Sequence, residues 1–223
     1  MGGSVADKAL TPLGGLTAIG YCVRTFLAAG LSGPILIVYR DDQQKPALKT
    51  AVESIHPQPE KIIWVPGGSE RQESVWNALQ ATPASSEYTY IHDVARPCIH
   101  PNAIAALQLA VERDGAAVLA HRVPDTIKRI PDADQLRSTE LEDLDRSRLW
   151  AMETPQGFDF QKIRSAYQHI HDHRLKVTDD TAAAASIGLK TTLVPNLYPN
   201  PKLTTPHDVK YLEFILGRTA CPP

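Results

Sequence analysis

The chain has 223 residues, 43% of them hydrophobic and 22% charged, with a formal net charge of −2. These are globular values that exclude disorder, and the balanced charge excludes a general attraction to nucleic acid or an anionic membrane. No run approaches the roughly 18 apolar residues of a membrane span, and Asp7, Lys8 and Pro12 interrupt any secretory core. A soluble, cytoplasmic protein is expected. Cys22, Cys98 and Cys221 are sparse, odd in number and without zinc-ligand spacing, so they read as reduced thiols.

The chain opens on a glycine-rich loop with no strand, then a helix from about Leu16 to Ala29. Ile35 to Tyr39 reads as a buried strand, followed by a helix from Pro46 to Ile55. Ile62 to Val65 is the next strand; Gly67-Gly68 ends it before a helix near Arg71 to Leu79. Tyr88 to His92 is a third strand, the segment after Pro101 is helical, and Ala116 to Ala120 is a fourth strand. Strands separated by single helices imply βαβ units in a largely parallel sheet.

The alternation stops after Val123. From Asp125 to Leu149 the chain is polar, charged and aperiodic, with strand-like ends at Thr126-Ile127 and Leu149-Trp150. An insert of about residues 123–150 is either a projecting arm that embraces a partner or a surface loop. Helices then run from about Phe160 to His171 and Asp179 to Ser186, a strand covers Thr191 to Val194, and a last helix covers Pro206 to Leu216. Residues 1–223 are expected to form one domain.

Gly67-Gly-Ser-Glu-Arg-Gln-Glu-Ser74-Val75 passes from strand end to helix. Glycines there let a ligand approach the backbone, and free amides favour an anion. The same residues also describe a tight turn in which Ser69 caps the helix and Gln72 completes a capping box. Asp93 follows a strand directly, at the carboxyl end of the sheet where open α/β folds bind ligands. It could hold a metal, with Arg96 gripping phosphate, or the two could form a turn-stabilising ion pair. Thr154-Pro-Gln156 and Thr178-Asp-Asp180 could be helix caps. Lys202, just before a helix start, gains nothing from that dipole and hints at an anionic ligand. His169, His171 and His173 read as a polar helix end, since no acidic base lies between them in zincin fashion. No Ser-His-Asp order and no phosphate-loop pattern of the Walker type is present.

The order of these motifs is more specific than any of them. Gly67-Gly68, Arg71 and Ser74-Val75 come first, then His92-Asp93 and Ala95-Arg96-Pro97. Asp125-Thr126 with Lys128, Asp145-Arg146 with Leu149-Trp150, and Thr154-Pro155-Gln156 follow. Thr178-Asp179-Asp180 and Lys202-Leu203-Thr204 with Pro206 and Asp208 complete the set. Over nearly its whole length the chain resembles the 2-C-methyl-D-erythritol 4-phosphate cytidylyltransferase family.

The resemblance implies a Rossmann-like nucleotidyltransferase sheet with a projecting dimerisation arm, CTP and a polyol phosphate as substrates, Mg²⁺, and a homodimer. Gly68, Ser69 and Ser74 would lie near the cytosine. Asp93 would sit by the triphosphate and metal, and Arg96 by the acceptor phosphate. Thr126 and Thr154 would join the substrate-binding set. Lys8, Arg146 (from the second subunit's arm) and Lys202 would supply catalytic charge. A phosphate oxygen of the acceptor would attack the α-phosphorus of CTP and expel pyrophosphate, a step that needs cations and alignment more than a protein nucleophile.

The family pattern departs at the front. It opens with a strand and the loop Pro-Ala-Ala-Gly-x-Gly-x-Arg-Met, of which this chain shows only the final Met and the loop's lysine as Lys8. Losing that strand would leave two strand edges unpaired. A start upstream is one expectation and a shortened, inactive relative the other. Transfer to ribitol 5-phosphate or another pentitol phosphate is the alternative reaction, and a non-catalytic binding homologue the alternative class.

Overall fold

The structure is a computed structural model that describes residues 7–55 and 61–219; the opening loop before Asp7 and Cys221 lie outside them. A hairpin of β1 (Pro12–Leu13) and β2 (Leu16–Thr17) turns through Gly14 at φ +71° and leads into α1 (Ala18–Ala28). The helix expected from Leu16 begins two residues later, because Leu16 and Thr17 pair back on Leu13 and Pro12. Thr17 then accepts the Gly20 N–H as N-cap, meeting one of the donors a helix start leaves open.

Next come β3 (Ile35–Tyr39), α2 (Gln44–Glu53), β4 (Ile62–Pro66) and α3 (Arg71–Ala81), with β3 and β4 parallel. They are followed by β5 (Tyr88–Ile91), α4 (Pro101–Asp114) and β6 (Ala116–Arg122). Helix α4 has Pro101 in its first turn and ends on Gly115 in the left-handed region, φ +79°. The arm carries a small hairpin, β7 (Lys128–Arg129) with β8 (Glu142–Asp143), so its strands fall beyond Thr126-Ile127. The chain closes with β9 (Trp150–Asp159), α5 (Phe160–His173), α6 (Asp180–Ser186), β10 (Thr192–Pro195) and α7 (Asp208–Thr219).

Among the described residues the main strands form two ladders. One holds β10, β6, β9 and β5 in that order; the other holds β3 and β4. In the first, β10 and β6 are parallel and β9 runs against both β6 and β5. The expected α/β fold with a largely parallel sheet is therefore present, and β9 is the reversed strand that sequence reading missed. Among the described residues β3 pairs only with β4, and β5 only with β9.

The core follows from burial on both faces of the sheet. Strand β6 is apolar and fully enclosed from Ala116 to Ala120, as a central strand should be. Ile104, Leu107 and Val111 of α4 pack on one side, and Phe158, Phe160, Ile163 and Tyr167 form a cluster with Val75 and Leu79 of α3. That second cluster ties α3, which follows the two-stranded ladder, to α5 and β9 of the other. A third group around Leu13, Tyr21, Leu203 and Leu212 holds α7 and the segment before it.

Candidate active site

Pro155 shapes the site before any charged residue does. Proline cannot donate to a ladder, and a central strand tolerates it only at a bulge. In β9 the pairing steps from Val118 opposite Gln156 to Ala120 opposite Met152, so Glu153, Thr154 and Pro155 together face Leu119. The Thr154–Pro155 peptide is cis. Bulges re-aim side chains, and here the Thr154 hydroxyl meets the loop leaving β5 while the Glu153 carboxylate turns to the segment after β10. Thr154 is thus a strand residue and caps no helix.

The Thr154 hydroxyl accepts the Asp93 N–H at 3.0 Å and lies 3.2 Å from His92 Nδ1. His92 Nε2 is 3.2 Å from the Arg96 carbonyl. Burial holds the His92 pKa down at about 4, so the ring is neutral, with Nε2–H donating to Arg96 and Nδ1 accepting from Thr154. A turn closes behind it, Arg96 N–H to Asp93 carbonyl at 2.9 Å, and Leu203 N–H reaches the Ala95 carbonyl at 2.7 Å. With Leu203 buried, Lys202 is fixed beside Asp93.

Lys202 Nζ lies 2.7 Å from Asp93 Oδ2, and Arg71 Nε donates to Asp93 Oδ1 at 3.2 Å. Burial alone would raise the Asp93 pKa; the Lys202 and Arg71 contacts outweigh it and hold the carboxyl below its usual range. Arg71 is itself gripped by Asp180, whose two oxygens take Nη1 at 3.0 Å and Nη2 at 2.7 Å. Arg96 does not pair with Asp93. Its Nη1 donates to the Asn200 carbonyl at 2.7 Å and its Nη2 to the Met152 carbonyl at 3.4 Å.

A cleft of about 630 Å³ opens beside this cluster, lined by Lys8, Tyr39, Arg40, Gly67, Gly68, Ser69, Arg71, Ser74 and Val94 among others. Both glycines are required by close approach. A Cβ on Gly67 would meet Ser74 Oγ at 3.1 Å, and one on Gly68 would meet Glu73 Cβ at 2.3 Å. The capping box expected of Ser69 and Gln72 is not formed. Ser69 gives its N–H and its hydroxyl to Glu73, while Gln72 reaches across to Leu175 and Val177. The Gly68 N–H is held by Ser74 Oγ at 3.0 Å. A smaller cavity of about 240 Å³ beside the β1–β2 turn has no ionisable residue in its lining.

The structure thus brings together Lys8, Gly68, Ser69, Ser74, Asp93, Thr154 and Lys202 from the sequence reading, with Arg96 bracing the loop behind them. It keeps Thr126 and Arg146 on the exposed arm, where Arg146 donates to the Pro124 carbonyl at 2.7 Å. Among the described residues no hydrogen bond or ion pair joins them to the cluster within one chain. Asp180 and Glu153 were not singled out as site residues. The buried Glu153 accepts from Asn196 and Asn200 Nδ2, each at 2.8 Å, and lies 2.6 Å from His121 Nδ1. Asp180 stands in the Thr178-Asp179-Asp180 motif that the resemblance draws on, but its local reading, an acid at a helix start, gives it no role in the site.

The described thiols are no nucleophiles: Cys22 and Cys98 are buried, and burial pushes the Cys98 pKa up to about 12. Cations instead gather where an open α/β sheet binds its ligand, the equipment of a nucleotidyltransferase, which aligns two substrates and stabilises charge on phosphorus.

Comparison with known proteins narrows the class. The family model described as IspD, 2-C-methyl-D-erythritol 4-phosphate cytidylyltransferase, matches residues 3–218, and the chain belongs to that family. The enzyme of that name from Prochlorococcus marinus strain MIT 9312 is 32% identical over 94% of this chain and 89% of its own length. That from Synechococcus sp. strain CC9902 is 32% identical over 99% of this chain and 94% of its own. Among solved structures, the Thermus thermophilus cytidylyltransferase superposes with TM-score 0.77 at 26% identity, covering 96% of each chain. The 4-diphosphocytidyl-2C-methyl-D-erythritol synthase of Anaerococcus prevotii DSM 20548 gives TM-score 0.82 at 25% identity, over 96% of this chain and 93% of its own.

Proposed function

We propose that the chain transfers the cytidylyl group of CTP to 2-C-methyl-D-erythritol 4-phosphate, releasing pyrophosphate, and that the cleft beside Asp93 is where it does so. The observation that carries this reading is the Lys202–Asp93–Arg71 cluster at the edge of a cleft lined by Lys8 and the Gly67–Ser74 turn.

The nucleoside lies along Gly67, Gly68, Ser69 and Ser74, which line the cleft. The triphosphate extends toward Lys8 and Asp93. The acceptor phosphate approaches from the Lys202 side, where Lys202 holds the attacking oxygen in line with the α-phosphorus. Arg96 adds charge there while bracing the Asn200 to Lys202 segment. Thr154 keeps the Asp93 loop in register through the backbone N–H. Negative charge grows on both sides of the reacting phosphorus, so fixed cations on both sides lower the barrier.

Mg²⁺ fits this donor set. Magnesium is commonly held by one or two carboxylates together with substrate phosphates. Asp93 is such a carboxylate, 19% exposed and held ionised. The ion would be held by Asp93 and would neutralise phosphate charge.

The arm is read as a dimer contact that places Arg146 and Thr126 over the partner's acceptor end. Supporting this, the arm leaves Ile127, Leu136 and Leu141 at 38%, 77% and 59% exposed among the described residues.

The test is pyrophosphate release by the purified chain with CTP, Mg²⁺ and 2-C-methyl-D-erythritol 4-phosphate. Turnover that outcompetes ribitol 5-phosphate is expected. Preference for ribitol 5-phosphate would change the acceptor, and silence from folded protein would overturn the reaction.

A further inference from the structure

We propose that Asp180 is a positioning residue for this transfer: its buried carboxylate fixes the Arg71 guanidinium, which in turn orients Asp93 and sets Lys202 at the cleft mouth. The inference rests on the cytidylyltransferase reading of the site.

Each nitrogen of the Arg71 fork is committed to a carboxylate: Nη1 and Nη2 to Asp180, Nε to Asp93. A planar guanidinium held by both terminal nitrogens cannot swing or twist, so the direction of its Nε–H is set by Asp180. Asp180 is placed just as firmly. It is 0% exposed, and Tyr167 OH donates to its Oδ1 at 2.5 Å. The helix turn carrying it is bolted to β9, with Gln156 Nε2 donating to Asp179 Oδ2 and Gln156 Oε1 accepting the Thr181 N–H.

The fully buried end of the chain of contacts is Asp180, at 0% exposure; Arg71, Asp93 and Lys202 are 37%, 19% and 45% exposed. The fixed point is therefore Asp180, and the groups it orients lie nearer solvent. The chain of charges alternates, Asp180⁻, Arg71⁺, Asp93⁻, Lys202⁺, so each group sits between opposite neighbours. If Arg71 turned away, Asp93 would lose the contact on Oδ1 and rotate toward Lys202, drawing that lysine off the acceptor. A purely structural Asp180 would need only Arg71's terminal nitrogens and Tyr167. The third nitrogen on Asp93 makes it more than that.

The experiment is a double-mutant cycle with Asp180→Asn and Arg71→Lys in the full chain, followed by steady-state kinetics and thermal unfolding. Asp180→Asn keeps the Tyr167 contact but leaves only one acceptor for the fork. The expected result is a kcat loss of about 10- to 100-fold, the range found when supporting partners of site groups are removed, with the KM for CTP within about threefold. The double variant should be no slower than the slower single one, because both lesions act through one group. Ile104→Val, a core deletion in α4 outside the Asp180–Arg71 group, should lower the melting temperature and leave kcat nearly unchanged.

Additive losses, or an Asp180→Asn chain with lower melting temperature and wild-type kcat, would overturn the proposal. A wild type with no turnover would sink the reaction assigned above, and a second readout still decides this point. The Arg71 Nε–H proton resonance should shift and exchange faster in Asp180→Asn; an unchanged signal refutes the positioning role whatever the activity.

Discussion

His92 and Asp93 respond to pH in the same direction for different reasons. With a folded pKa of about 4 against roughly 6.5 unfolded, His92 stays neutral in the native state while the unfolded chain takes up a proton. Stability is therefore lost as pH falls from about 6.5 to 4, at up to about 1.4 kcal/mol per pH unit. Asp93 has the opposite chemistry and the same sign: its folded pKa lies below its usual value, so its contribution is present above about pH 4 and disappears as pH falls through the folded value. Urea unfolding of the wild type at pH 7 and pH 5 should show this fall, and His92→Gln should flatten it between those two values. An equal slope in the variant would mean that another group titrates.

Glu153 shows what single residues hide from sequence reading. A glutamate beside a Thr-Pro turn reads as surface charge, yet it is 4% exposed and holds the carboxamides of Asn196 and Asn200. No local pattern announces that, because its partners lie on the far side of β10. Glu153→Ala would remove the acceptor that both carboxamides share, although Asn200 Nδ2 keeps the Thr154 carbonyl at 3.0 Å and Asn196 is half-buried. Chemical denaturation should show a loss of about 1–3 kcal/mol, the cost of one donor left short. Glu153→Gln, which retains an acceptor, should lose less.

Among the elements, periodicity found those that obey it. Strands β3, β4 and β6 are apolar runs, and α4 and α5 carry buried stripes, so their sequences announce them. Strand β9 does not. It is buried without alternation from Glu153 to Phe158, contains a proline, and encloses Glu153, Thr154 and Gln156. All three features argue against a strand until the bulge and the polar partners are known. Its tight seat makes a prediction at this scale. A Cβ on Gly157 would meet Val111 Cγ2 at 2.5 Å and the Tyr90 ring at 3.0 Å. Gly157→Ala should push α4 off the sheet and cost about 1–3 kcal/mol of overpacking; an unchanged unfolding midpoint would show that α4 yields freely.

At the scale of the whole molecule, the order of short motifs carried the family, since each motif alone had an equally good local explanation. What the order could not convey was the contact between Arg71 and Asp180, 109 positions apart. The arm supplies a further prediction. Replacing Leu136 and Leu141 by Asp should give monomers by light scattering, with reduced turnover if Arg146 serves the partner's site. A monomeric wild type, or a variant that stays dimeric, would remove the arm from that role.

The seam between the two ladders bears on how long the molecule survives. Gly68, Ser69 and Arg71 follow the two-stranded ladder, whereas Asp93, Thr154 and Lys202 belong to the four-stranded one. A nucleotide bound in the cleft proposed above would span the join and act as mortar. Nucleotide at a hundred times its dissociation constant adds about 2.7 kcal/mol to the folded state, and here that gain falls where the sheet is open. Proteases should therefore cut the starved enzyme well before the charged one. The abundance of such a protein would then follow the supply of its own substrate, with no separate regulator.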